Sequence, residues 1–303
     1  MGFSACHPAV SFLYFACVIA AALALRHPVY LAVAFVGSFA YAVKLRRARG
    51  AALGLILLPC AAAFALWYAS IHHFGVTVLR QNFVDNNITL EALVSGAALG
   101  LSVSAALMWL ACVHEVFTAD KVVYLFGRVS PRLSLFLAIL LRMVPRIGRQ
   151  AKKLNTARCG IGRGVNQGSV LQRIGSALKL FSMLITWTIE MLTGASESMR
   201  SRGSSLRGRT AFSIYRFDNR DRAYVIAQSA LMTALAMGVL LRQSYVRYSP
   251  AIRLPRATPL SFVFYLAYAL LCLMPLLLDE FTEWRFRRAR GKVFADWKKM
   301  VKF

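Results

Sequence analysis

Acidic residues are scarce in this sequence. Its 303 residues include 12 Asp and Glu against 37 Lys and Arg, which gives a net charge of +25. Because the few carboxylates are scattered along the chain, the sequence disfavours chemistry that needs clustered carboxylates to hold Mg²⁺. A basic balance of this size is typical of nucleic-acid binders and of membrane proteins with basic cytoplasmic loops. The location of the charge decides between these classes.

Sequence motifs for metals and nucleotides are also missing. No two of the six cysteines lie within four residues of each other, so there is no CxxC pair, and we expect small apolar packing residues. No GxxxxGK(S/T) loop for nucleotide phosphates is present. His72 and His73 are adjacent, but the sequence offers no further metal ligands beside them. We therefore predict neither a metal site nor a cofactor.

Long apolar runs are abundant. Hydrophobic residues make up 58% of the chain and the mean hydropathy is +0.55, whereas soluble domains are about 45–50% apolar. A spanning helix takes about 20 mostly apolar residues. Six runs fit this description, over residues 8–25, 29–43, 51–71, 92–117, 223–241 and 260–278. They predict an all-α integral membrane protein with about six transmembrane helices.

The loop charges predict the orientation of these helices. Residues 44–49 carry four basic residues and no acid, and the tail after residue 278 is also basic. Because basic loops stay in the cytoplasm, we expect both chain ends on that side. One feature disagrees with the rule, since a short basic loop then falls outside. Its arginines are Arg242, Arg247, Arg253 and Arg256.

The segment between the fourth and fifth runs combines positive charge with helical periodicity. From Arg142 to Arg222 it holds 16 basic and 4 acidic residues. Apolar residues recur at helical spacing in two stretches, 133–143 and 170–185, and four glycines between residues 160 and 168 interrupt the pattern. This pattern predicts two long amphipathic helices lying against the inner face of the membrane.

Residues 177–195 are apolar enough to pass for another span. However, they include Lys179 and Glu190, and such residues each cost about 2.5–3.5 kcal/mol at the bilayer centre. A crossing here would also place the basic clusters around Arg158 and Arg202 on opposite sides. We therefore predict a surface helix rather than a span.

Two short motifs repeat within this basic segment, Ala157-Arg158-Cys159 and Ser201-Arg202-Gly203. Each places an arginine between two small residues. Small neighbours let a helix end approach another protein closely, and the planar guanidinium suits a groove lined by carboxylates or carbonyls. The alternative is that each arginine binds lipid phosphate or only solvates a helix end.

At these motifs the chain resembles the transmembrane T component of energy-coupling factor transporters, the cobalt and vitamin uptake family of ATP-binding-cassette importers. That family carries two Ala-Arg-Gly-like motifs in cytoplasmic coupling helices. The second motif here keeps Arg-Gly, whereas the first has Cys159 where glycine is usual, followed by Gly160. The resemblance covers roughly residues 7 to 280.

Other segments match the same family in order and spacing. Residues 141–145, Leu-Arg-Met-Val-Pro, resemble its Leu-Arg-Phe-Ile-Pro signature. His7-Pro8 and the later Pro28 resemble its N-terminal hairpin, and residues 198–222 resemble its second coupling helix and exit. The resemblance implies transmembrane helices in 1–129, a coupling-helix region in 130–222, and further transmembrane helices with a basic tail in 223–303.

The resemblance also implies a mechanical role and a set of partners. The T component bridges two ATP-binding-cassette ATPase subunits and a small membrane-embedded S component that binds the substrate. Arg158 and Arg202, with their small neighbours, would each seat in one ATPase. The expected location is a prokaryotic inner membrane, where anionic lipid also contacts the basic segment. ATP hydrolysis is expected in the partners, so the chain itself would not be an enzyme.

Three other functional classes share single features with this sequence. A membrane-embedded lipid-modifying enzyme or a lipid-binding scaffold remains the alternative, although Asp218 with Asp221 and Asp279 with Glu280 are better explained as helix-terminal charges or salt-bridge partners. A channel or secondary transporter is disfavoured because the runs carry almost no ionisable residues at mid-membrane. No nucleic-acid partner is expected, because the basic face lacks aromatic stacking residues and faces a bilayer.

Overall fold

A computed structural model describes residues 3–72, 74–81, 87–127, 130–203, 206, 215–253, 255 and 258–300. The chain divides into two compact units. We call residues 1–118 and 215–303 the bundle unit, and residues 119–214 the middle unit. The division expected from the sequence has its boundaries at 129 and 222, and it therefore assigns residues 119–127 and 215–222 differently from these units.

Helices dominate the described residues. A short 3-10 turn at Phe3–Ala5 precedes α1 (Pro8–Ala24), α2 (Pro28–Arg46), α3 (Ala48–Ile71), α4 (Leu90–Val116), α5 (Ala119–Gly127), α6 (Pro131–Gly160), α7 (Val170–Ser201), α8 (Asn219–Leu240) and α9 (Pro259–Met300). Strands β1 (Val78–Gln81) and β2 (Asn87–Thr89) form an antiparallel hairpin between α3 and α4, with Val78 opposite Thr89. The sequence did not predict this hairpin.

Six helices build the bundle unit, namely α1, α2, α3, α4, α8 and α9. They coincide with the six predicted apolar runs. By length and composition, six helices of the described chain could cross a membrane, and these are α2, α3, α4, α7, α8 and residues 259–290 of α9. Helix α1 has 17 residues, at the short end of the range of about 17–25 for a span. The chain is a multi-pass helical membrane protein, and the predicted class is confirmed.

Small residues allow the backbones of α3 and α4 to approach closely. Gly96 and Gly100 of α4 face Ala61 and Ala65 of α3. A Cβ on Gly100 would lie 2.8 Å from the carbonyl oxygen of Ala61, and one on Gly96 would lie 3.1 Å from Cα of Ala65. This is the small-xxx-small arrangement that lets backbones approach in a membrane, where apolar burial alone gives little attraction between helices.

Helices α1 and α2 begin in the same way. His7 and His27 are their N-caps, and Nδ1 of each accepts a hydrogen bond of 3.3 Å from the backbone N–H two residues on. Proline follows each histidine at the first helical position, where no N–H is needed. Nε2 of His27 lies 3.1 Å from the Tyr265 hydroxyl. Burial lowers the pKa of His27, which favours the neutral ring that the cap requires.

Charged and polar contacts gather at one end of the bundle unit, which we call the charged end. Lys44 at the end of α2 pairs with Glu280 (2.5 Å) and Glu283 (2.8 Å) of α9, and Arg46 Nε lies 2.7 Å from Glu115 Oε1 of α4. The N–H of Phe3 donates to Asp279 Oδ1 at 2.5 Å. Glu280 and Glu283 are thus salt-bridge partners, as predicted, and Asp279 accepts a hydrogen bond from the N-terminal turn.

The chain leaves the bundle unit at the charged end and returns there. The ring of Phe117 lies 6.3 Å from those of Phe12 and Phe15 in α1. The ring of Phe217 lies 5.6 Å from that of His7, at the start of the same helix. Both connections to the middle unit therefore lie at the same end of the bundle unit. Helix α6 carries six basic residues between positions 142 and 158 and is not among the possible spans, whereas α7 is among them. The surface position of α7 stays a prediction.

The opposite end, which we call the loop end, holds the basic segment that disagreed with the charge rule. Tyr248 donates to the carbonyl of Arg26 at 2.6 Å, and Ser244 donates to the Tyr30 hydroxyl at 3.1 Å. Nε of Arg247 donates to the carbonyl of Ser249 at 2.7 Å. Arg242, Arg247 and Arg253 thus lie in a folded loop, while Arg256 lies outside the described residues.

The middle unit contains α5, α6 and α7. Ser134 of α6 donates to the carbonyl of Val123 in α5 at 3.2 Å. The guanidinium of Arg146 in α6 lies over the ring of Trp187 in α7, 6.0 Å from its centre. A capping box between Ser169 and Gln172 starts α7. Apolar side chains concentrate on one face of α6 and α7 more than in the bundle helices, as the periodicity predicted.

Candidate functional site: the two helix ends of the middle unit

The first Arg motif lies in the last turn of α6, which ends in a Schellman motif. Gly162 has a positive φ of 72°, a conformation that glycine adopts without strain. Its N–H donates to the carbonyl of Cys159 at 3.1 Å, and the N–H of Arg163 donates to the carbonyl of Arg158 at 2.9 Å. These two bonds satisfy carbonyls that a helix terminus would otherwise leave unpaired.

The second motif lies at the end of α7. Arg202 is the C-cap residue, and Gly203 follows with a φ of 75°. The N–H of Gly203 donates to the carbonyl of Arg200 at 3.0 Å, and the Ser201 hydroxyl donates to the carbonyl of Ser198 at 2.9 Å. Both long helices thus end at a glycine in the left-handed conformation.

The two motifs do not occupy equivalent positions on their helices. Arg202 directly precedes its terminal glycine, whereas Arg158 lies a full turn before Gly162. The position that corresponds to Arg202 at the end of α6 is Ile161, which is 72% exposed. The two small-Arg-small motifs are therefore similar in sequence, but Arg158 lies about one turn further from the end of its helix than Arg202 does.

Arg158 does not project from the helix end, which corrects the expectation for that side chain. It is 8% exposed. Its Nε donates to the carbonyl of Arg163 at 3.2 Å, and Nη1 lies 3.9 Å from Sδ of Met183 in α7. The physical reason is that α6 ends at Gly160 and the left-handed turn at Gly162 brings the carbonyl of Arg163 back to the Arg158 side chain. Ala157 is exposed and Cys159 is half-buried.

Arg202 has the exposure that the sequence predicted. Its side chain is exposed, as are those of Arg200 and Ser201 beside it. At the end of α6 the exposed guanidinium belongs to Arg163, one residue after Gly162. The sequence analysis missed Arg163. The Gly-Ile-Gly-Arg run could have indicated it, because its second glycine takes the left-handed conformation just after the helix and the arginine follows.

The loop from α6 to α7 is held by its own polar groups. Asn155 Oδ1 accepts from the N–H of Val165 at 3.1 Å, and Gln167 Oε1 accepts from the N–H of Gly164 at 2.9 Å. Cys159 Sγ lies against Gly164, where any added Cβ would collide with it. Cys159 therefore has a packing role in this turn.

Helix α7 presents a continuous apolar stripe to its surroundings. None of its residues is buried. Seven large apolar residues at spacings of three and four form what we call the α7 seam. They are Leu171, Ile174, Leu178, Phe181, Ile185, Ile189 and Leu192, with exposed fractions from 41% to 83%. A stripe of this kind is stable only against a bilayer surface or another apolar helix.

Among the described residues, no three His, Cys, Asp or Glu side chains are placed to hold a metal ion, and His73 lies outside them. Asp218 and Asp221 form a capping box at the start of α8, so the prediction of helix-terminal charges holds. No protein-family model matches this chain, and no curated protein matches it either.

Proposed function

We propose that this protein is the T component of an energy-coupling factor importer, which passes the motion of two ATP-binding-cassette ATPases to a substrate-binding S component. The observation that carries the proposal is the pair of long amphipathic helices in the middle unit. Each ends at a left-handed glycine beside an exposed arginine, Arg163 or Arg202. The end of α7 carries the second motif of the resemblance, and the end of α6 carries an exposed arginine just beyond the first motif.

The helix ends are suited to docking on an acidic partner. A helix C-terminus leaves carbonyl groups without intrahelical partners and carries partial negative charge. An adjacent arginine offsets that charge and offers a fork of five donors to carboxylates or carbonyls. In the proposed complex, Arg202 seats in one ATPase and the α6 end, through Arg163, seats in the other.

Transmission needs the two helices to move together. Arg146 on Trp187 and Arg158 beside Met183 tie α6 to α7 at two positions. The self-bonded loop between them adds a third connection. Closure of the ATPases on ATP would therefore displace α6 and α7 as one body.

The α7 seam supplies the surface for the S component. Partner proteins embedded in the membrane present apolar helix faces, and an exposed stripe with helical spacing is complementary to such a face. The displacement of α7 would then move the S component and open its substrate to the cytoplasm. The substrate would be a vitamin or a metal ion, chosen by the S component, and the location would be the prokaryotic inner membrane.

A second candidate is a lipid-binding scaffold. It is favoured by the same seam together with the basic residues of α6 and α7, because an amphipathic basic helix also lies stably on an anionic membrane surface. In that role the exposed arginines at the two helix ends would bind lipid phosphate instead of a protein. The two candidates differ in whether the chain has protein partners.

Co-purification tests the proposal. The tagged chain is solubilised from its native membrane in a mild detergent, and bound proteins are identified by mass spectrometry. The T-component role predicts ATP-binding-cassette subunits and a small hydrophobic protein. Recovery of the chain without protein partners from mild detergent would contradict it and favour the scaffold.

A further inference from the structure

An apolar groove runs between α8 and α9 of the bundle unit. Its volume is about 900 Å³, within the range of about 300–1,000 Å³ of sites that hold small ligands. Aliphatic side chains line most of its length, among them Ala227 and Leu231 of α8 and Leu270 and Met274 of α9. Arg220 and Trp284 lie at one end of it.

The length of the groove matches one leaflet of a bilayer. From Arg220 to Leu231, eleven positions further along α8, the helix rises about 17 Å. The hydrocarbon core of a bilayer is about 30 Å thick, so one leaflet contributes about 15 Å. Both walls of the groove belong to helices that are long and apolar enough to cross a membrane. The groove thus follows the path that an acyl chain takes from the interface to the bilayer midplane.

The end of the groove at Arg220 is basic and aromatic. Glu280 also lines it and shares Lys44 with Glu283, at 2.5 and 2.8 Å. Four further arginines follow on α9, namely Arg285, Arg287, Arg288 and Arg290. Arg288 lies over the ring of Trp284, 5.3 Å from its centre. Tryptophan and arginine are the side chains that concentrate at the membrane–water interface and meet lipid phosphates there. Charge at this end is therefore complementary to an anionic headgroup.

We propose that this groove binds one anionic phospholipid, with an acyl chain along Ala227, Leu231 and Met274 and the phosphate at Arg220. A transmembrane helix of a partner is the other possible occupant, and the cross-linking experiment below distinguishes it from a lipid. The lipid would fill the space between α8 and α9 and hold the two helices at a fixed separation. This inference is independent of the proposed transport function.

Native mass spectrometry of the full-length chain tests the proposal. The chain is equilibrated in detergent with equal amounts of phosphatidylglycerol and phosphatidylcholine, and the lipids that stay bound are counted. We expect phosphatidylglycerol to be preferred about fivefold at the tightest site, the effect of one arginine near the surface. Arg220→Gln should remove one bound phosphatidylglycerol. Arg222→Gln, two residues further along α8 and outside the groove lining, should retain it.

A second variant locates the lipid in the groove. Ala227→Phe fills the groove with an apolar ring and should displace the same lipid without changing any charge. Equal retention of the two lipids by the wild-type chain, or an equal loss from Arg222→Gln, would overturn the proposal. A photoreactive residue at Leu231 provides a check in native membranes. Cross-links to lipid support the assignment, whereas cross-links to a membrane protein would assign the groove to a helix.

Discussion

Arg158 and Arg163 bind each other through their backbones and one side chain. The N–H of Arg163 donates to the carbonyl of Arg158 at 2.9 Å, and Nε of Arg158 donates to the carbonyl of Arg163 at 3.2 Å. The buried side chain of Arg158 therefore stabilises the turn that follows α6, whereas the guanidinium of Arg163 is exposed. The two arginines should respond differently to substitution.

We expect Arg158→Ala to loosen the α6–α7 connection and Arg163→Ala to leave it intact. Loss of a hydrogen bond from a buried charged group costs about 1.5–3 kcal/mol, so amide hydrogen exchange at residues 159–167 should rise in Arg158→Ala only. Arg163→Ala should instead reduce the amount of co-purified ATPase. The opposite pattern would show that Arg158 makes the partner contact directly.

We expect Arg202→Ala to weaken binding of the ATPase subunits while the chain stays in the membrane. An arginine at the centre of an interface commonly contributes about 2 kcal/mol, an affinity loss of about 30-fold. The amount of co-purified ATPase and ATP-dependent uptake should both fall, and Arg163→Ala with Arg202→Ala should be worse than either change alone. Lys152→Ala, at an exposed position of α6, is the control. Equal damage from that control would point to general basic charge.

We expect Gly203→Ala to fray the end of α7. Its φ of 75° is a conformation that costs a residue with a Cβ about 1–2 kcal/mol. Gly194→Ala, in the same helix with open space around it, should instead stabilise the helix by about 0.5–1 kcal/mol. Gly203→Ala should therefore lower both the thermal unfolding temperature in detergent and the amount of co-purified ATPase. Gly194→Ala should raise the unfolding temperature and leave co-purification unchanged. Equal behaviour of the two variants would contradict the structural role of Gly203.

We expect both ends of α7 to lie on the same side of the membrane. In a variant without native cysteines, Gln167→Cys and Ser198→Cys should react with an impermeant thiol reagent from the side that labels Arg285→Cys. Tyr245→Cys, at the loop end, should label from the other side. Labelling of the two α7 positions from opposite sides would make α7 a transmembrane span.

The helices of the bundle unit were predictable because each is an apolar run of nearly the right length, a signal contained within a single stretch of sequence. The amphipathic character of α6 and α7 was predictable for the same reason. The burial of Arg158 was not predictable from the sequence. It depends on which of several nearby glycines takes the left-handed conformation after α6, and backbone hydrogen bonds at Gly162 determine this. The histidine caps of α1 and α2 were missed, although Pro8 and Pro28 marked their positions.

Site-specific photo-cross-linking shows whether the end of α7 contacts an ATPase, as the proposed function requires. A photoreactive amino acid replaces Ser201, beside Arg202, in the chain expressed in its native membrane, and Tyr245 at the loop end serves as the matched control. We expect an ATP-binding-cassette subunit in the cross-linked product from position 201 and none from position 245. Cross-links from position 201 only to lipid, or to the same proteins as from position 245, would contradict the proposed function.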